Sequence, residues 1–382
     1  MKQNWRRCLL ALLCLQLIPA LLLAQTSLKL HYEQSEIYAG IEVGSKGVKL
    51  SMLEMGPDAR NTGAYYLLKD TAVNSDFISF TPAAYQATLA GLYHLYELVN
   101  IEYKIPADHI YTVISSGVKI QAEKEEKTDW IRQLSDAFRQ KINEPGREVA
   151  VIDVKEEARL SHLGIVPDSR RYTTFLIDIG SGNTKGGYFP YANTRDLKLF
   201  QLSWGTKSVA NAAEKRCDTD KSTDNYYRQL GRVLQAAENT EIVYAVNESG
   251  SYDMSDNVAF SGGIAWSLAT LAYPELIDNP VVPVTYDELV KFNDRIISRY
   301  ASLSDSAIVA GITDNSVNTA AVAREVKRVN QVFDQRALMA GTGLLLKVMR
   351  QFAGVYEKKQ FFLVKNGQVG WISAYVNKSL KK

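Results

Sequence analysis

Thr173–Phe189 reads TTFLIDIGSGNTKGGYF, and the order of its residues decides the fold. An apolar, partly β-branched run enters, Gly-Ser-Gly breaks it, and a second run of small and aromatic residues leaves. That grammar is a buried strand, a glycine-rich turn and a strand returning antiparallel. Ile37–Met55, IYAGIEVGSKGVKLSMLEM, repeats it in the first half of the chain. Strand patterns alternating with helical ones indicate an α/β class with at least partly parallel sheets. The 382-residue length exceeds what one core usually supports, so two lobes are expected.

The turns themselves carry chemistry. Successive backbone N–H groups in such turns form a nest of anion size. In the first, Gly44 lets the chain turn sharply while Ser45 and Gly47 leave room for a ligand, and Lys46 and Lys49 add positive charge. In the second, Gly180 and Gly182 do the same, with Ser181, Asn183 and Thr184 as further donors and Lys185 just beyond. Glu42 and Asp178 each stand two residues before the first glycine, where a carboxylate can hold a hydrated magnesium ion beside phosphates. One such turn is an ordinary hairpin. Two with the same acid offset suit a clasped phosphoryl group.

Working outward, Phe77–Ile101 has helical spacing, with Leu89, Leu92, Leu95, Tyr96 and Val99 on one side. His109–Ser116 reads as a strand ending at Gly117, Thr128–Ile142 as an amphipathic helix and Arg147–Asp153 as a strand. Val154–Gly164 is a short helix that Gly164 is expected to close as its C-cap. Pro167 and the polar run after it mark a lobe boundary, giving lobes over 37–167 and 172–382. The second lobe continues with a strand at Leu197–Ser203 and helices at about 205–216 and 223–239. A strand, glycine turn and helix at Val258–Ala272 come next, followed by long helices at 285–300 and 318–352. FFLVKNGQVGWISAYV, from Phe361, reads as a closing hairpin turning at Asn366-Gly367.

The N-terminus is a targeting segment. Lys2, Arg6 and Arg7 precede an apolar run from Cys8 to Ala24, and Ala24 offers a small residue for cleavage. Residues 1–24 therefore read as a signal peptide, and the protein as exported, periplasmic or secreted. A retained membrane anchor is the competing reading, although a span needs ~20 apolar residues. Cleavage takes the net charge from +2 to −1, because it removes three cations and no acid. A near-neutral chain lacks the basic surface that nucleic-acid binding demands. Cys217 alone then remains, which excludes an internal disulfide and a cysteine zinc site. His31, His94, His109 and His162 show no metal-ligand spacing, and His162 reads as structural.

Paired hairpin turns on two duplicated lobes resemble the actin-like ATPase (ribonuclease H-like) superfamily, with a cleft between the lobes. Within it, the motif order resembles the exopolyphosphatase/guanosine-pentaphosphatase (Ppx/GppA) family over most of the chain. YTVISSGVKIQAEKEE, from Tyr111, is similar to that family's ATSAVRDAKN segment, and KEEARLSHLGIV, from Lys155, to EEARLIYLGV. LIDIGSGNTK sits where the family has DIGGGSTE, LSWGTKSVAN where it has LPLGAVRLTE, and FSGGIAWSLATL resembles its later glycine-rich turn before a helix.

The resemblance implies an assignment of roles. Glu157, the second Glu of the EEARL run, would be the general base that activates water. Asp178 and Glu42 would organise Mg2+. Gly44, Ser45, Lys46, Gly180, Ser181, Gly182, Asn183 and Lys185 would hold phosphate. It also implies a homodimer. Departures run through the same motifs. Lys185 stands where the family has Glu, Glu42 where it has Asp, Lys46 where it has Asn and Lys119 where it has Arg. A lysine cannot accept a hydrogen bond, and it lacks the guanidinium fork. Two functions are open: a magnesium-dependent phosphoanhydride hydrolase acting on polyphosphate or a related phosphorylated molecule, or a catalytically silent protein that binds such a ligand.

Overall fold

The computed structural model describes residues 28, 30–57, 65–250, 255–353, 358–365, 367 and 370–379. The leader 1–24 and Asn366 lie outside them. Among the described residues no helix is long and apolar enough to cross a membrane.

Two mixed sheets repeat one topology. The first contains β1 (Glu36–Gly44), β2 (Gly47–Met55), β3 (Tyr65–Asn74), β4 (Ile110–Ile114) and β5 (Val149–Val151), in the order β3-β2-β1-β4-β5. β1, β2 and β3 run antiparallel, and β4 and β5 follow parallel to β1. The second contains β6 (Thr174–Ile179), β7 (Thr184–Tyr188), β8 (Lys198–Leu202), β9 (Asn257–Ser261), β10 (Val281–Val284) and β11 (Gln360–Val364), in the order β10-β11-β9-β6-β7-β8. Again an antiparallel trio, β6-β7-β8, continues through parallel neighbours β9 and β11, and β10 is added antiparallel at the edge. This is the α/β, two-lobed actin-like architecture, duplicated.

Helices cover both sheets. Those of the first half are α1 (Pro82–Glu97), α2 (Ser116–Lys124), α3 (Thr128–Lys141) and α4 (Val154–Ile165). The second half adds α5 (Thr206–Arg216), α6 (Thr223–Ala237), α7 (Val243–Ser249), α8 (Gly263–Ala272), α9 (Tyr286–Ser298), α10 (Asp305–Ala310), α11 (Thr319–Val332), α12 (Gln335–Ala353) and α13 (Gly370–Ser379). The two-residue period of a strand sorts side chains between faces. Ala39, Ile41 and Val43 of β1 enter a core with Leu92, Leu95 and Phe138, whereas Tyr38 faces Val113, Leu160 and Ile372. In β6, Phe175, Ile177 and Ile179 enter the main second core, and Leu176 faces Val166, Ala259 and Val364. Glu42 and Asp178 share the parity of Tyr38 and Leu176, so both look toward the α4 side rather than into a helical core.

Several expectations are corrected. The closing hairpin is absent: β11 is followed by α13, whose Trp371, Ile372 and Val376 pack on the first sheet with Tyr38, Leu53 and Leu160. Apolar residues that alternate loosely there serve a helix buried on several sides. Gly164 is not a cap but lies inside α4, which ends at Val166. A methyl on Gly164 would lie 1.6 Å from the carbonyl oxygen of Gly370, so this glycine lets two helix backbones touch. Gly117 likewise lies in α2 rather than ending a strand. The expected helix 318–352 breaks at Phe333–Asp334 into α11 and α12, and β3 carries no counterpart among the expected elements.

Candidate functional site

Hairpin register brings the charged residues together. Residues directly opposite in an antiparallel pair project to the same face. Asp178 is opposite Lys185, and Glu42 is opposite Lys49. Each acid therefore has a lysine beside it across the strand. β9 runs parallel on the other side of β6 and sets Ser261 beside Asp178, to which its hydroxyl donates at 3.0 Å. Gly262 permits this junction. Its φ of 93° suits glycine, and a Cβ there would lie 2.3 Å from the Ile179 carbonyl oxygen.

Glu157 arrives from between the lobes. Asp153 caps α4 by accepting the Glu156 N–H at 2.8 Å, which starts the helix with two acids in its first turn. Glu156 pairs with Arg159 on the open side. Glu157 turns inward and is only 7% exposed. Its Oε2 accepts the N–H of Ser116, the first residue of α2, at 2.8 Å. Its Oε1 meets Lys185 Nζ at 2.9 Å. Lys185 Nζ also meets Asp178 Oδ2 at 3.4 Å.

These contacts set the protonation states. Burial pushes the Glu157 carboxyl up, but Lys185 and Ser116 outweigh it and hold it below the usual range. Burial works against the Lys185 charge, yet Glu157 and Asp178 raise its affinity for the proton well above that of a free lysine. Glu42 is raised instead, by burial first, with Lys49 opposing and Glu157 reinforcing. The cluster is thus an ammonium shared by two carboxylates, with a third acid nearby.

The turns close over this cluster. A methyl on Gly182 would lie 4.0 Å from Ser45 Oγ, and one on Gly117 3.3 Å from the same atom. The two hairpin tips and the start of α2 therefore meet at Ser45. None of Gly44, Gly180 and Gly182 has a left-handed φ, so bending does not require them. They leave space instead. The N–H groups of Thr206 and Lys207 donate to the carbonyls of Gly180 and Ser181 at 2.9 and 2.8 Å. Because a trans peptide is planar, the N–H following each held carbonyl points the opposite way. The Ser181 and Gly182 amides are thereby aimed away from α5, and Gly182 is exposed. Asn183 folds inward, its carbonyl taking the Gly180 N–H at 3.0 Å.

Of the residues read from the sequence, Glu42, Glu157, Asp178 and Lys185 converge, and Ser45, Gly180, Ser181, Gly182 and Asn183 cover them. Gly44 ends β1 behind the tip, and Lys46 projects outward. Lys119 turns to Glu123 on its own helix. Ser116 and Ser261 complete the cluster; both lie inside segments already set apart by resemblance, but neither was singled out there. Magnesium fits this donor set poorly. The ammonium stands on two of the carboxylates a cation would share, and among the described residues no three Asp, Glu, His or Cys side chains are arranged for a metal. His162 is buried, its Nε2–H donates to the Thr174 carbonyl at 2.9 Å, and burial pushes its imidazole down to about 4. Cys217 is buried, its thiol donating to Ala213.

No protein-family model and no curated protein matches the sequence. Solved structures do. The type II variant of the Aquifex aeolicus Ppx/GppA phosphatase aligns over 89% of this chain and 99% of its own, with a TM-score of 0.59 at 16% identity. The chain has the Ppx/GppA fold. A second structure of the Aquifex aeolicus family member aligns over 90% of this chain and 98% of its own, at a TM-score of 0.60 and 16% identity. A Cytophaga hutchinsonii exopolyphosphatase gives 89% and 98% coverage, a TM-score of 0.53 and 13% identity.

Proposed function

We propose that this protein is a receptor for a phosphorylated anion, polyphosphate being the leading ligand, that binds without hydrolysing and without a metal. The single observation behind this reading is the Lys185 ammonium bridging Glu157 and Asp178. A general base must be free to take a proton from water. Glu157 has its two oxygens engaged by Lys185 and by the Ser116 amide, and its affinity for protons is lowered. Lys185 also supplies inside the protein the positive charge that a metal would bring. The amides of Ser181 and Gly182, turned away from α5, are the groups that would receive the anion.

Hydrolysis is the second reading, favoured by one observation: the lowered proton affinity of Glu157 keeps it a carboxylate beside the hairpin turns, as a base must be. The leader supports a place outside the cytoplasm for either reading. Calorimetric titration of polyphosphate in EDTA, alongside phosphate release with and without magnesium, separates them. Binding in EDTA with no release is expected. Gly182→Ala keeps the amide but sets a methyl where the anion would approach, and is expected to weaken binding while leaving the melting temperature unchanged. Magnesium-dependent release that Glu157→Gln abolishes would establish the hydrolase instead.

A further inference from the structure

A cavity of ≈ 630 Å³ opens beside the hairpin tips, lined by Lys46, Asn74, Ser75, Asp76, Ala83, Ala84, Ala87 and Lys207. Its walls come from both lobes. Lys46 is the tip of the first hairpin, and its carbonyl takes the N–H groups of Ser75 and Asp76 at 3.1 and 3.2 Å. Lys207 is on the first turn of α5, tied to the second hairpin through Ser181. Alanines of the first turns of α1 form the floor, and their small size keeps it open.

Its charge is unbalanced. Burial and the nearby ammonium groups of Lys207 and Lys49 press Lys46 below the usual lysine range, against an opposing pull from the Asp334 carboxylate. No carboxylate among the described residues forms an ion pair with Lys46, and Lys207 has only Asp76, at a loose 3.9 Å with both side chains about half exposed. Two lysines, one from each half of the chain, line one space.

The geometry points to a second oxyanion subsite in this cavity, in which Lys46 and Lys207 take a phosphate-sized group of the same ligand whose first group lies on the Ser181–Gly182 amides. This inference rests on the anion-receptor reading and adds to it a requirement: the ligand carries more than one anionic group. Asp76 holds Lys207 until the anion displaces it. Because one lysine comes from each lobe, the subsite is complete only when the lobes are apposed, and its occupant would hold them so.

Calorimetric titration of long-chain polyphosphate and of orthophosphate, in EDTA, into wild type, Lys207→Gln and Asp76→Asn tests it. Lys207→Gln is expected to weaken polyphosphate binding about tenfold, leave orthophosphate binding unchanged, and flatten the salt dependence of log affinity by about 0.7. Asp76→Asn is expected to tighten polyphosphate binding, because it removes the competing carboxylate, which a purely structural Asp76 would not do. Thermal melts of all three proteins should coincide. Unchanged polyphosphate affinity in Lys207→Gln, or equal losses for both anions, overturns the subsite while the receptor reading stands. Wild type binding neither anion overturns both.

Discussion

Replacing Lys185 with Met keeps the length of the side chain and deletes the charge that two carboxylates share. At an effective dielectric of about 20, attractions across 2.9 and 3.4 Å are each worth about 5–6 kcal/mol. Most of that offsets the cost of taking three ions out of water. Removing one partner of such a buried pair costs about 3–5 kcal/mol, because the acids left behind are uncompensated. The dependence on pH carries a distinct sign. In wild type, Glu157 is held below its unfolded value, so its stabilisation is present above that value and lost as pH falls through the folded one. In Lys185→Met, only the Ser116 hydrogen bond still opposes burial, and Glu157 is expected to titrate above its unfolded value. Its contribution is then present at low pH and lost as pH rises. The gap between the two proteins should be widest near about pH 7 and close toward about pH 4. Guanidinium unfolding followed by circular dichroism across that range reads it, with midpoints compared in case the lobes unfold separately. Adding Glu157→Gln to Lys185→Met should recover part of the loss. A loss under about 1 kcal/mol, the scale of an exposed pair, or a gap that ignores pH, would refute the shared-ammonium account.

Two further outcomes test the frame around the site. His162 is neutral when folded, with its value lowered to about 4, so its contribution is intact above the unfolded value of 6.5 and lost as pH falls between them. His162→Gln should therefore flatten the fall in melting temperature over that window, and an unaltered slope would place the acid sensitivity elsewhere. Gly164→Ala drives a methyl to 1.6 Å from the Gly370 carbonyl oxygen and should cost about 3 kcal/mol or more in chemical denaturation, by forcing α4 and α13 apart. A near-neutral result would mean that α13 does not sit on α4.

The glycine hairpins were legible because their information is local. Strand period, turn glycines and the acid two residues before each turn all lie within about twenty residues, which is the reach of pattern reading. The same local logic held the key to Lys185: in a hairpin that turns at Gly180–Asn183, Asp178 must face Lys185 across the strand. Reading Lys185 as a free phosphate ligand overlooked that register. The end of the chain was misread for another reason. Val364 to Val376 mixes apolar and small residues without a clear period, and the Asn366-Gly367 pair favours a hairpin wherever nothing else competes. What competes is the exposed face of the first sheet, hundreds of residues away, which α13 buries.

The sequence by itself determined two glycine hairpins, their anion-sized turns, an acid beside each, and the alternation that makes an α/β protein. These follow from side-chain period and backbone sterics, which act between near neighbours. Only the tertiary structure decided that Glu157 reaches Lys185, that α5 turns the Ser181 and Gly182 amides outward, and that Lys46 and Lys207 share a cavity. The first and the last depend on how the two lobes dock, and the second on packing within the second lobe. Docking is set by summed packing over distant residues, and no short stretch of the chain records it.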